Sequence, residues 1–140
     1  MLTQLSIYLK NRPGQLARFA TLLVENDIEI RAITVAENEE YGLILLLVDK
    51  PDKCIKLLEE KDHIYSITKV IAVKVLSEEG HTKGLLKISK VLGENNVNIE
   101  YMYSTLVKDE SLLILRVNDN EMAIEVLKQN NFLLEEREKI

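Results

Sequence analysis

Displaced by 69 residues, the sequence superposes on itself without a gap: Leu16 falls on Leu85, Leu23 on Leu92, Glu25 on Glu94, Asn26 on Asn95 and Ile30 on Ile99. The same offset continues through Leu43 and Leu112, Leu46 and Leu115, Val48 and Val117, Ile55 and Ile124, and Leu58 and Leu127. Most matches are apolar, as a shared core demands, but chance favours apolar matches too. The constant offset across separate elements is what points to two copies of one unit, with domains expected at 1–70 and 71–140.

Each copy carries periodicities that alternate between two and 3.6 residues. In "LTQLSIYL", Leu5, Ile7 and Leu9 lie on one face and Gln4, Ser6 and Tyr8 on the other, the pattern of a half-buried strand. Leu16, Phe19, Ala20 and Leu23 then recur at helical spacing, and Asn26-Asp27 supplies residues that tolerate a left-handed helix end. "IEIRAITVAE" reads as a second strand, "NEEYG" as a turn and "LILLLV" as a buried third strand. Pro51 and Asp52 suit the first turn of a helix that buries Ile55 and Leu58, because proline's missing N–H has no intrahelical partner there. The apolar segment from Ile64 to Leu76 is expected to close the first copy and open the second. The order then recurs: a helix in "TKGLLKISKVLGEN", strands in "VNIEYMYSTL" and "SLLILRV", a helix in "NEMAIEVLKQN" N-capped by Asn118 or Asp119, and a last strand in "FLLEEREKI". The pattern βαββαβ, twice, predicts an α/β (α+β) fold of two ferredoxin-like two-layer sandwiches, helices on one sheet face.

Composition removes several classes of function. The 140 residues carry a net charge of −5 and no long basic run, which argues against binding a nucleic-acid backbone. The longest apolar run, Leu43 to Val48, is far shorter than the roughly 20 residues of a membrane helix, and the N-terminus lacks the features of a secretion signal, so a cytoplasmic protein is expected. Cys54 is the only cysteine, so no internal disulfide forms, and its surroundings suggest a half-buried helix position. His63 and His81 have no neighbouring ligand spacing for a metal. No cofactor is implied.

Between the first strand and helix stands "NRPGQL", residues 11–16. Pro13 ends the strand for want of a ladder donor, Gly14 can take positive φ, and the first N–H groups of the helix point into the loop with the positive end of its dipole. That arrangement favours a carboxylate. A plain strand-to-helix turn, with Asn11 satisfying only the backbone, accounts for the same residues.

The segment "YLKNRPGQLARFATLLVENDIEIRAITV" resembles the ACT domain, a small regulatory amino-acid-binding module, in its strand, its N-x-P-G-x-L-like loop, its helix and its "I-x-I" strand. The resemblance spans the whole chain as a tandem pair. It implies two domains side by side in one eight-stranded antiparallel sheet, and a small amino acid held at their interface by the loop of one and a polar side chain early in the second strand of the other. Carried onto this sequence, the loop residues are Asn11, Arg12, Pro13, Gly14, Gln15 and Leu16, and the strand positions are Glu29 and Asn98. In the second copy Gly80, His81, Thr82, Lys83 and Gly84 replace Asn11 to Gln15, and the Pro-Gly pair is lost.

The resemblance therefore implies a better site from the first loop with Asn98, whose amide both donates and accepts, and a weaker one from His81, Thr82, Lys83 and Gly84 with Glu29. Tyr101 borders the first of these or simply packs with its hydroxyl outward. Within the 140 residues no catalytic domain or DNA-binding helix-turn-helix accompanies the pair. A regulator acting through a partner enzyme or transcription factor, or through its own homodimer, is expected rather than an enzyme. The alternative is a small enzyme on the same architecture, with His81 beside Glu78 or Glu79. An RNA-binding sheet would need exposed aromatics and basic surface that "LILLLV" does not supply.

Overall fold

The structure, a computed structural model, describes residues 1–37, 41–75, 78, 80–106 and 112–136. The expected turn at 38–40, Leu76, Glu79, Ser111 and the terminal residues 137–140 lie outside them. Two compact units are present, Thr3–Thr68 and Lys69–Arg137, the latter taking in Met1–Leu2.

The elements run β1 (Leu2–Lys10), α1 (Gln15–Glu25), β2 (Ile30–Glu37), β3 (Tyr41–Val48), α2 (Pro51–Glu60), β4 (Ile64–Lys74), α3 (His81–Glu94), β5 (Ile99–Ser104), β6 (Leu112–Val117), α4 (Asn120–Gln129) and β7 (Leu134–Glu135). Among the described residues there are thus seven strands rather than the expected eight. A strand to close one copy and another to open the next require a break between them, and "IYSITKVIAVK" holds no Gly, Pro or turn residue to make one, so it runs on as β4. In the first unit the strand order is β2-β3-β1-β4; in the second it is β5-β6-β4, with β7 on the other side of β4. The pairs β1–β3, β2–β3, β4–β6, β4–β7 and β5–β6 are antiparallel, for example Leu5 opposite Leu46 and Ile71 opposite Leu115.

Each unit has its own core. In the first, Leu5, Ile7 and Leu9 of β1 meet Phe19 and Leu23 of α1, Ile44 and Leu46 of β3 and Leu58 of α2. In the second, Ile71, Val73, Ile88, Leu92, Leu115 and Leu127 do the same. Two expectations change. Gln4 and Ser6 are buried as well, so β1 is covered on both faces there, and Gln4 Nε2 donates to Ser6 Oγ at 3.4 Å. An alternating pattern reads such a pair as solvent-facing, but mutual hydrogen bonding lowers the cost of covering it. Cys54 is fully rather than half buried, while Ile55 only packs against the core's margin. The 69-residue offset places Cys54 on Ala123, also fully buried, so the thiol occupies a slot for a small apolar group.

The repeat extends to individual hydrogen bonds. All four helices end in the same Schellman motif. Asp27, Asp62, Asn96 and Asn131 take φ of 54, 56, 57 and 65°. The N–H of the following residue reaches back to the helix: Ile28 to Leu23 O at 3.0 Å, His63 to Leu58 O at 2.9 Å, Val97 to Leu92 O at 2.9 Å and Phe132 to Leu127 O at 3.0 Å. The Asn26-Asp27 end read from the sequence is the first of these. Past it, the Glu29 N–H donates to Asp49 Oδ1 at 2.9 Å, and the Asn98 N–H to Asn118 Oδ1 at 2.8 Å. Both second strands carry a bulge at matching positions, Ile30/Ala32 and Ile99/Tyr101. At the start of α4, Asp119 is the N-cap, accepting from the Met122 N–H at 3.0 Å, and Pro51 opens α2.

Asn96→Gly is expected to be neutral or to stabilise by up to about 1 kcal/mol, and Asn96→Val to cost about 1–2 kcal/mol, because a β-branched residue resists the left-handed region; urea unfolding measures both. Burial pushes the Cys54 thiol up from 9.0 to about 11. Its raised value in the fold contributes stability that is complete below pH 9 and lost as pH rises through 9 to 11, roughly 2–3 kcal/mol. Cys54→Ala should cost only about 1 kcal/mol, against about 2–5 for Leu58→Ala, and should remove this part of the alkaline decline.

Candidate functional site

The two strand-to-helix junctions differ between the copies. In the first unit the chain turns through Asn11–Gly14: the Arg12 N–H donates to Lys10 O at 2.9 Å, the Gln15 N–H to Arg12 O at 3.3 Å, and Gly14 sits at φ 85° as the helix N-cap. Asn11, Arg12, Pro13 and Gly14 are exposed, Gln15 is half-buried and Leu16 exposed. Arginine before proline is steered away from helical backbone, so α1 starts only at Gln15. In the second unit neither proline nor a left-handed glycine stands at the matching positions, and α3 extends back by three residues to His81. His81, Thr82, Lys83 and Gly84 form the first turn of a helix, not a loop, with Gly80 at φ 97° and ψ 157° as N-cap.

That earlier start brings His81 over a cavity of about 330 Å³ lying wholly within the second unit. His81 and Leu85, one turn apart on α3, form one wall; Ser104 and Thr105 at the end of β5, with Leu112, Leu113 and Val75, form the rest. The interior is an apolar floor with an imidazole and two hydroxyls. Thr105 Oγ1 is sealed from solvent and has no hydrogen-bond partner among the described residues. Among the described residues the first turn of α3 has no side-chain cap and contains no acidic residue, and its leading N–H groups carry the positive end of the helix dipole.

The other expected residues fall elsewhere. Thr82, Lys83 and Gly84 do not line this cavity; Gly84 is buried in the helix-packing face. Glu29 and Asn98 are exposed, one in each unit, their N–H groups held by Asp49 and Asn118. Tyr101 and Tyr103 share a face of β5 and are half-buried; burial, then the proximity of Tyr101, raises the Tyr103 hydroxyl. Glu78 is exposed and is not among the residues that line this cavity. Ser104 and Thr105 were not singled out by motif; they are reached only once the register Ser104 opposite Leu113 is known.

A second cavity, of about 520 Å³, lies in the first unit between α1 and the turn after α2. Among the described residues no group of three or more His, Cys, Asp or Glu is placed to hold a metal, and no helix is long and apolar enough to cross a membrane.

Comparison with known proteins gives one family and one fold. The family model described as an ACT domain pair matches residues 1–140. A Bacteroides thetaiotaomicron protein of known crystal structure is 30% identical, with a TM-score of 0.83, covering 96% of this chain and 91% of its own. The ligand-free regulatory subunit of aspartate kinase from Thermus thermophilus shares the fold at 14% identity, TM-score 0.66, covering 91% of each chain. The corresponding subunit from Thermus flavus does so at 13% identity and TM-score 0.60, covering 91% of this chain and 90% of its own. No curated protein matches the sequence significantly.

Gly80→Ala tests the junction. Its backbone lies in a region that essentially only glycine enters, so the substitution should destabilise the fold by about 1–3 kcal/mol, readable as a lowered midpoint of thermal or urea unfolding.

Proposed function

Because the chain belongs to the family of ACT domain pairs, whose members are regulatory modules, we propose that it is an amino-acid sensor that binds a small free amino acid and passes the signal to a separate catalytic partner. The observation that supports this most directly is the cavity beneath His81. It lies at one of the two strand-to-helix junctions, within a single unit, whereas the resemblance implies a site that also draws on the second strand of the other, and its chemistry suits a zwitterion. The open end of α3 and the imidazole favour a carboxylate, the Ser104 and Thr105 hydroxyls accept from an ammonium, and Leu85, Leu112 and Leu113 receive an aliphatic side chain. At about 330 Å³ the space is at the small end of ligand pockets, about 300–1,000 Å³, which selects against bulky compounds. Thr105 Oγ1, closed to solvent, meets the ligand only after its side chain turns to another rotamer, which ends its unpartnered state.

The exposed loop Asn11–Leu16, with Asn98 and Tyr101 as companion contacts, is the second reading of where the same ligand sits. What favours it is the loop's own geometry: Pro13 and Gly14 leave the first turn of α1 without a side-chain cap. Signalling follows by linkage, since a ligand that favours one associated state shifts that equilibrium. The Thermus structures are regulatory subunits of a kinase; by analogy of fold this chain acts as a regulatory subunit, as a homodimer in its active assembly.

Titration calorimetry with the twenty amino acids is the test. Binding of one or two small members is expected, weakened at least tenfold (about 1.4 kcal/mol) by His81→Ala and by Thr105→Val. Loss with Asn11→Ala or Asn98→Ala, and none with His81→Ala, moves the ligand to the first loop. No heat with any amino acid at millimolar concentration overturns the function.

A further inference from the structure

The residue after each left-handed helix end is the position at which the Schellman motif calls for an apolar contact back onto the helix. Ile28, Val97 and Phe132 meet that requirement; the fourth, His63, does not. The 69-residue offset makes Phe132 its counterpart, and Phe132 packs against the core of the second unit. His63 instead stands edge-on to the buried Phe19 ring, 5.9 Å between centroids at 78°, and lines the 520 Å³ cavity. The rim differs between copies in the same sense. Lys61 stands where the second copy has Asn130, and Gln15 where it has Gly84.

Leu9, Phe19 and Leu22 form an apolar floor, the first two buried. Arg18 on α1 and Lys61 on the turn after α2 provide two cations at the rim, against one acid, Glu25. In a chain of net charge −5 this is a local reversal of sign.

We propose that this cavity is a second binding site, independent of the amino-acid site, for a small monocarboxylate with an apolar body. The floor receives the hydrocarbon, a guanidinium and an ammonium take the carboxylate, and the His63 imidazole contributes a polar edge where a phenyl ring would fill the space. A zwitterion is disfavoured because its ammonium would stand against two cations with one carboxylate to offset them. A phosphate, strongly hydrated, would lose its water against a floor that offers no hydrogen bond.

Calorimetry on the intact chain with 3-phenylpropionate and 4-methylpentanoate tests this, with 3-phenylpropionamide and, in the His81→Ala variant so that the amino-acid site is silent, leucine as controls of matched body. Both acids should bind, and the amide and leucine at least tenfold more weakly. Arg18→Gln or Lys61→Gln should weaken the acids tenfold or more. His63→Phe, the residue of the second copy, should abolish binding while circular dichroism stays unchanged. His81→Ala should leave it intact, which separates this site from the amino-acid site. Equal binding of the amide or of leucine, retained binding in His63→Phe, or no binding of either acid at millimolar concentration overturns the proposal.

Discussion

Four times in 140 residues the chain must stop a helix and turn back toward a strand, and each time one backbone device does it. An Asp or Asn is placed in the left-handed region so that the next N–H can reach the carbonyl five residues earlier. Glycine would adopt that conformation at no steric cost; here short polar side chains do so instead, at Asp27, Asp62, Asn96 and Asn131. The turn fixes where the following residue lands, and with it the direction of the chain into β2, β4, β5 and β7. After α1 and α3 the arrangement is locked further by Asp49 and Asn118, which hold the N–H two residues past the left-handed position. The sheet registers and the two cores depend on these reversals being short and fixed.

How much of this the chain discloses in advance depends on whether a feature is local. The helix patterns, the Asn26-Asp27 end, Pro51 in the first turn of α2 and Asp119 as N-cap are local chemistry and can be read directly. The offset of 69 also holds down to the bulges in β2 and β5. The long apolar run from Ile64 is readable as shared by both copies, and β4 is so shared; the eight-stranded sheet that the resemblance implies counts that strand twice. Burial of Gln4 and Ser6 is invisible to alternation, because polarity predicts exposure only when the group has no partner. Cys54 could have been placed by its match to Ala123, since a position that accepts alanine in one copy has no room at a solvent boundary in the other.

The residues of the candidate site were legible in part for the same reason. His81 stands out because the second junction lacks the Pro-Gly pair, yet matching Gly80–Gly84 to a loop hides the extra turn of helix. Proline at position 13 and a left-handed glycine at 14 delay α1; threonine and lysine in their places do not delay α3. Three residues of additional helix, about 4.5 Å, move an imidazole from a loop onto a cavity wall. Ser104 and Thr105 join it through strand pairing, which no linear motif encodes.

A duplicated frame is its own control. Where both copies keep the same chemistry, as in the helix ends and the Asp49/Asn118 contacts, selection for the fold suffices to explain the residues. Departures from the shared pattern without structural need are where function is to be sought. The junction before α3 departs by losing Pro-Gly, and a cavity follows. The turn after α2 departs by placing His63 where three other turns place an apolar side chain, and a larger cavity follows. Neither change is required to close its core, since the opposite copy closes the same core without it. These two departures from the shared pattern stand beside cavities at different places on a common scaffold and with different linings: hydroxyl-bearing side chains and an imidazole at the start of a helix in one half, cations over an apolar floor with one aromatic ring at the end of a helix in the other. A pair built this way offers two differently lined cavities without either half having to change its fold.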